Sequence, residues 1–173
     1  NAFFFRGLTS VVLPDTLEVI GSTAFKENKL TEVVLPSSLK ELGYGAFWDN
    51  MLTEITIPDG ITEIAVAAFR DNQISEINIP DSVRYIRRGA FQTNMLTELI
   101  VPDNILILES GSFEENLIET LVLNDGLEEI GGFAFDKNKL TSLTIPASVK
   151  IIGNASEGAI PAKNYKGSTF SDN

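Results

Sequence analysis

Residues 8–29 read LTSVVLPDTLEVIGSTAFKENK, and the same unit returns down the chain with a fixed period. Asn28, Asn50, Asn72, Asn94, Asn116 and Asn138 stand 22 residues apart without a slip. Phe25, Phe47, Phe69, Phe91, Phe113 and Phe135 keep the same spacing, and Phe3 extends that column backwards. Proline agrees at Pro14, Pro36, Pro58, Pro80, Pro102 and Pro146, with Asn124 the one exception. Three unrelated residue types on one clock define repeats that start at Leu8, Leu30, Leu52, Ile74, Leu96, Ile118 and Leu140. A period in this range is the signature of a stacked-repeat architecture.

The chemistry of one unit predicts its shape. SVVL, EVVL, EITI, EINI and SLTI alternate inward and outward side chains and are rich in β-branched types, the pattern of a short strand with one buried face. Val11/Leu13, Val33/Leu35 and Ile55/Ile57 point inward in this reading. The proline that follows has no N–H for a ladder and ends the strand. A second apolar pair at spacing three (Leu17/Ile20, Leu39/Leu42, Ile61/Ile64, Val83/Ile86) predicts a bent half-strand or corner. The closing G-x-x-A-F-x-x-N stretch is too short for a stable helix and fits a turn or one 3₁₀ turn. A unit of this size cannot bury so many apolar columns alone, whereas stacked copies cover one another.

The unit L-T-x-φ-x-φ-P-D/S-x-φ-x-x-φ-G-x-x-A-F-x-x-N, with φ aliphatic, resembles the BspA-like leucine-rich repeat family over residues 2 to about 153. The proline step and the G-x-x-A-F step recur together in register. One departure is that many family members carry Cys near the Asn column, which here has no thiol. The fold expected is a leucine-rich-repeat solenoid, mainly β. It is a right-handed superhelix of about seven coils, with a parallel sheet of short strands along one side and 3₁₀ or turn segments opposite. Phenylalanine rings form its internal spine, and the Asn column bonds turn backbone between coils. The solenoid is assigned to residues 1–161, of which 1–7 end a preceding repeat, and 162–173 to a polar tail or linker. The chain starts mid-repeat without an initiator Met, which suggests a piece of a longer protein; Phe3, Phe4 and Phe5 would leave an uncapped end sticky.

Composition excludes several classes of function. The 173 residues carry 13 Lys plus Arg against 24 Asp plus Glu, a net charge of −11, which opposes nucleic-acid binding. With no His and no Cys there is no imidazole base, thiolate nucleophile, Cys/His zinc site or disulfide. No apolar run reaches the ~20 residues that cross a bilayer as a helix. Phosphate-binding, metalloprotease and serine-hydrolase motifs are absent, and no pair of carboxylates sits in a recognisable catalytic setting. The expectation is a non-enzyme that needs no cofactor and holds no catalytic metal.

Alternation leaves two outward columns as binding candidates. Glu32, Glu54, Glu76 and Glu98 form one, continued by Ser10, Thr120 and Ser142. In-register carboxylates repel, so the ladder either docks cations or serves as a solubilising edge. The second reads Val12, Val34, Thr56, Asn78, Ile100, Val122 and Thr144: either a protein-binding face or a surface covered by a flanking segment. Leu106 and Ile107, with Tyr85 and Ile151 in related columns, form an apolar patch or repack inward. Arg84, Arg87 and Arg88, the one basic cluster, pair with Glu63 and Glu109 or capture an anion. The Thr column at 9, 31, 53, 97 and 141 belongs to the generic unit rather than to an ice-binding array.

The family resemblance implies display on a bacterial or protist surface and an adhesin-like, protein-binding role in a larger cell-surface or secreted protein. An extracellular protein or cell-surface macromolecule is the partner it implies. A spacer that displays other domains and an accessory domain of a carbohydrate-active enzyme are the alternatives. The last would use Trp48, Tyr44 or Tyr85 as sugar platforms.

Overall fold

The computed structural model describes residues 1–153 and is a β-solenoid with no helix among them. Its strands, in chain order, are β1 Val19–Ile20, β2 Glu41–Leu42, β3 Glu54–Thr56, β4 Glu63–Ile64, β5 Glu76–Asn78, β6 Tyr85–Ile86, β7 Glu98–Ile100, β8 Ile107–Leu108, β9 Thr120–Val122, β10 Glu129–Gly131 and β11 Ile151–Gly153. Every pairing is parallel and joins residues one period apart: Glu54 lies opposite Glu76, Tyr85 opposite Ile107 and Glu129 opposite Ile151.

The aromatic spine forms as the period demands. Phe3, Phe25, Phe47, Phe69, Phe91, Phe113 and Phe135 stack with ring centroids 5.3–5.8 Å apart and planes within 11° of parallel. Phe47, Phe69, Phe91 and Phe113 have no solvent exposure, and neither have Ala46, Ala68 and Ala90 beside them. Those alanines leave the room the rings fill. Leu30, Leu52, Ile74, Leu96 and Ile118 form a second fully buried column. Stacking makes about six turns, one fewer than the repeat starts suggest, because the unit from Leu140 is described only as far as Gly153. The expected decay of the pattern after that, the boundary at 161 and the 162–173 tail lie outside the described residues.

The continuous sheet is not where the alternating segments placed it. It runs along the second apolar pair, where β4, β6, β8, β10 and β11 form one five-stranded ladder. The first segments pair only two by two, β3 with β5 and β7 with β9, and residues 10–13, 32–35 and 142–145 are extended without strand pairing. Each first segment runs into its proline, or Asn124, after three or four residues, which shortens the run of donors available to a neighbouring coil. The second pair carries no proline. There the ladder is lengthened at its ends by bonds such as Arg87 N to Ile64 O and Glu109 N to Ile86 O, 3.0 and 2.9 Å. β1 and β2 pair in the same way as a separate two-stranded sheet, with Gly43 N to Ile20 O at 2.8 Å.

A third ladder joins the coils on the turn side. Gly45, Phe47 and Asp49 donate their N–H groups to the carbonyls of Val66, Ala68 and Arg70, each at 2.9 Å. Ala67, Phe69 and Asp71 repeat the pattern one coil on, to Arg88, Ala90 and Gln92. The turn achieves this by placing two residues per coil in the left-handed region. One column is Thr23, Gly45, Ala67, Gly89, Gly111 and Phe133; the other includes Glu27, Asp49, Asp71, Thr93, Glu115 and Lys137. Only three of these twelve are glycine, so the stacked neighbours hold the rest in a conformation that non-glycine residues otherwise avoid.

The asparagine column ties these faces together. Asn72 Nδ2 donates to the carbonyls of Phe69 in its own coil and Phe47 in the preceding one, at 3.1 and 2.9 Å, while its Oδ1 accepts from Leu52 N–H at 3.0 Å. Asn50, Asn94 and Asn116 do the same. Asn124, which breaks the proline column, is also buried. It donates to Pro102 O and Ile105 O and accepts from Gly126 N–H, closing the turn it replaces.

Candidate docking surface

The first segments are rigidly backed by the buried Leu30-type column, so alternate side chains stand on the solvent face of every coil. Glu32, Glu54, Glu76 and Glu98 are all exposed. Glu54 and Glu76 stand opposite each other in β3 and β5, and Glu98 stands opposite Thr120 in β7 and β9. No ion pair among the described residues involves any of the four glutamates. Two strand positions on, Thr56 faces Asn78 and Ile100 faces Val122. Val12, Val34 and Ile100 are 94%, 83% and 70% exposed, so no described segment covers this column. Glu32 and Val34 belong to the same outward face but to an extended segment that pairs with no strand.

A further exposed column escaped the alternation reading. Met51 and Met95, the only methionines in the chain, are 41% and 47% exposed, and Leu117 follows them at the same position of the next coil. They precede the buried Leu column by one residue and so border the strip on the side away from Val34. Outward of the Glu column, therefore, lies one partly aliphatic column, and across the exposed Thr column lies another. A shallow open depression of about 880 Å³ adjoins the strip where its central coils turn, lined by Thr56, Pro58, Asp59, Asn78, Pro80 and Asp81 among others. It adds two carboxylates to the acidic side.

The remaining candidates resolve into internal contacts. Arg87 binds Glu63 and Glu109 at 2.5 and 2.7 Å and lies 4.8 Å from the Tyr85 ring centroid, which staples three successive coils. Burial opposes its charge, but the hydrogen bonds and charges of Glu63 and Glu109 outweigh that and hold its pKa above the ordinary guanidinium value. Arg84 donates to the carbonyl of Asp81. The cluster is engaged with its neighbours rather than open to an anion. Tyr85 and Ile107 are register partners and half-buried, and Glu129 separates them from Ile151 in the same row. No contiguous apolar patch results. Burial, reinforced by the charge of Glu109, pushes the Glu129 carboxyl above its usual range.

Trp48 is committed in the same way. Lys26 Nζ from the preceding coil lies 3.7 Å from its ring centroid and the Arg70 guanidinium of the following coil 5.2 Å, while Nε1 donates to Asp71 at 2.8 Å. Cations occupy its faces, leaving little of the indole for a sugar to stack on. Among the described residues no three His, Cys, Asp or Glu side chains converge as a metal site, and no helix is long and apolar enough to cross a membrane.

Comparison with known proteins agrees with this geometry. Six copies of the BspA type leucine rich repeat region match residues 1–119 and 87–156. A leucine-rich repeat protein of Bacteroides ovatus superposes with a TM-score of 0.70 and 28% identity over 82% of this chain. A leucine rich cell surface protein of Faecalibacterium prausnitzii gives 0.69 and 29% over 79%. A leucine-rich repeat protein of Eubacterium ventriosum, 20% identical over 89% with a TM-score of 0.63, shares the fold. The chain spans only 38%, 39% and 45% of these three. No curated protein matches it in sequence. The repeats, their register and the matched residues together place the chain in the BspA-type leucine-rich repeat family.

Proposed function

We propose that this chain is a non-catalytic recognition module of a larger cell-surface or secreted protein, and that the outward face of its first segments docks an extracellular protein. The observation that carries the reading is the strip itself. Glu32, Glu54, Glu76 and Glu98 are exposed and unpaired among the described residues, and they run coil to coil beside exposed Val34 and Ile100. Opposed carboxylates on adjacent strands are unfavourable in isolation, so a cationic partner gains from relieving them. Three inter-coil ladders keep the surface rigid, which limits the ordering entropy lost on binding. The surface location is supported by the F. prausnitzii relative, itself described as a cell surface protein.

The same rigidity favours a second reading, a spacer that carries other domains and binds nothing. Retention on immobilised collagen, fibronectin, laminin and fibrinogen separates the two. The recognition reading expects at least one of them to hold the wild-type chain and an Asp136→Lys control, and to release the Glu54→Lys/Glu76→Lys variant. Retention of none favours the spacer, and retention of all three alike refutes docking through Glu54 and Glu76.

A further inference from the structure

We infer that the strip takes a basic, amphipathic α-helix of the partner, laid along the stacking axis. Its Lys and Arg side chains meet the Glu column and its apolar side chains meet the columns on either side. The inference rests on the docking reading above and names the chemistry of what docks.

Three observations converge on it. The first is the cross-section of the strip, with carboxylates in the middle and exposed apolar positions on both flanks. Met51, Met95 and Leu117 lie on one side, interrupted by Gln73 and ended by Lys29 and Lys139, and Val34, Ile100 and Val122 lie on the other, interrupted by Thr56 and Asn78. A cationic stripe bordered by apolar residues is its complement, and methionine is a side chain that adapts to apolar partners. The second is charge. The chain carries −11, and none of the four glutamates is in an ion pair among the described residues, so an acidic ligand is repelled and a basic one attracted.

The third is spacing, which selects a helix over an extended segment. Coils recur at the 5.3–5.8 Å seen between stacked rings, while paired strands lie about 4.8 Å apart. A helix presents one side chain per turn to a given line, about 5.4 Å apart. Between Glu32 and Glu98 it drifts from the coils by about 2 Å at most, which flexible lysine and arginine stems absorb. An extended chain presents same-face side chains every ~6.7 Å and drifts by up to about 6 Å over that distance, at the upper end a whole coil.

The test uses a fluorescent peptide of about 18 residues, with lysines at i and i+4 flanked by leucines and stapled as a helix. A second peptide of matched composition carries a central proline that prevents the helix. Anisotropy titrations with the whole chain at low and physiological salt are expected to give the stapled helix roughly tenfold tighter binding. Glu54→Lys/Glu76→Lys should weaken it by roughly tenfold or more and flatten its salt dependence, whereas Met51→Gln/Met95→Gln should weaken it severalfold with the salt dependence kept. Equal affinity for the two peptides overturns the helix. If that equal binding still falls with the glutamate variant, the docking strip survives without it. Binding indifferent to Glu54 and Glu76, or no binding, overturns the inference, and the matrix-protein experiment then decides the docking reading independently.

Discussion

At Asn72 one side chain satisfies three backbone groups that have no other route to water: the carbonyls of Phe47 and Phe69 and the N–H of Leu52. No smaller residue does this, and a carboxylate in its place would offer acceptors where two donors are needed. Alanine would leave the Leu52 N–H buried and unpaired and would take one of two asparagine donors from each carbonyl, since Asn50 still reaches Phe47 O and Asn94 still reaches Phe69 O. Asn72→Ala is expected to cost about 1–3 kcal/mol, read as a lower urea midpoint at unchanged slope. Asn138 makes the same bonds at a half-exposed position, where water can substitute, so Asn138→Ala should cost clearly less. Equal losses at the two positions would show that burial does not set the value of the column. The spacing of these asparagines was legible in the sequence; the bond to the previous coil, Asn72 to Phe47 O, follows only from the stacking.

Single strands of two or three residues have little standing alone, and what stabilises them is the row to which each belongs. In the five-stranded row, Glu129 of β10 sits between Ile107 and Ile151 and near Glu109. Burial first, and the Glu109 charge second, raise its carboxyl in the folded chain. A folded-state pKa above the unfolded value means the native state holds that proton more tightly. The associated stability is therefore present below the unfolded carboxylate pKa of about 4.3 and is lost as pH rises through the folded value. Glu129→Gln should accordingly be more stable than wild type at neutral pH, with the gap closing in acid. Thermal unfolding from pH 3 to 7 checks this, and a gap of constant size across that range would refute it. This row also marks the limit of what could be read in advance. Alternation is easy to see in EITI or EINI, so the sheet is expected there. The Ile61/Ile64 spacing predicts only a bent half-strand or corner, and Glu63–Ile64 becomes part of a ladder only through Tyr85–Ile86 and the coils beyond. The outward Glu and Val34-type columns were legible by the same alternation. Met51, Met95 and Leu117 were not, because they leave a turn whose left-handed residues reset the phase. The pairing of Trp48 with Lys26 and Arg70 was hidden too, since one period links three different residue types.

The molecule as a whole is close to one-dimensional: each coil touches its neighbours through a ring stack, an Asn bridge and inter-coil backbone bonds, and very little reaches further. Removing one complete period should therefore leave a shorter version of the same object. Deletion of residues 52–73 joins Met51 to Ile74, and the lost partners in the ring stack and the Asn column have replacements one period on, while Trp48 exchanges Arg70 and Asp71 for Gln92 and Thr93. Phe47 meets Phe91, Asn50 is followed by Asn94, and Leu30 N–H still finds Asn50. The Arg87–Glu109 pair survives with the loss of Glu63 alone. The far-UV spectrum should keep its shape, while the urea slope falls by roughly a sixth and the midpoint drops, since less surface is buried and one interface is gone. Deletion of residues 52–62 removes only half a coil. It takes away β3 and the Pro58 corner, leaves the turn around Phe69 and forces the chain to cross its own core. That variant has no arrangement in which the apolar columns all face inward, and it should lose cooperative unfolding altogether. If it unfolded as sharply as the full-period deletion, stability would not come from register between coils, and the solenoid would be better described as beads that tolerate any spacing.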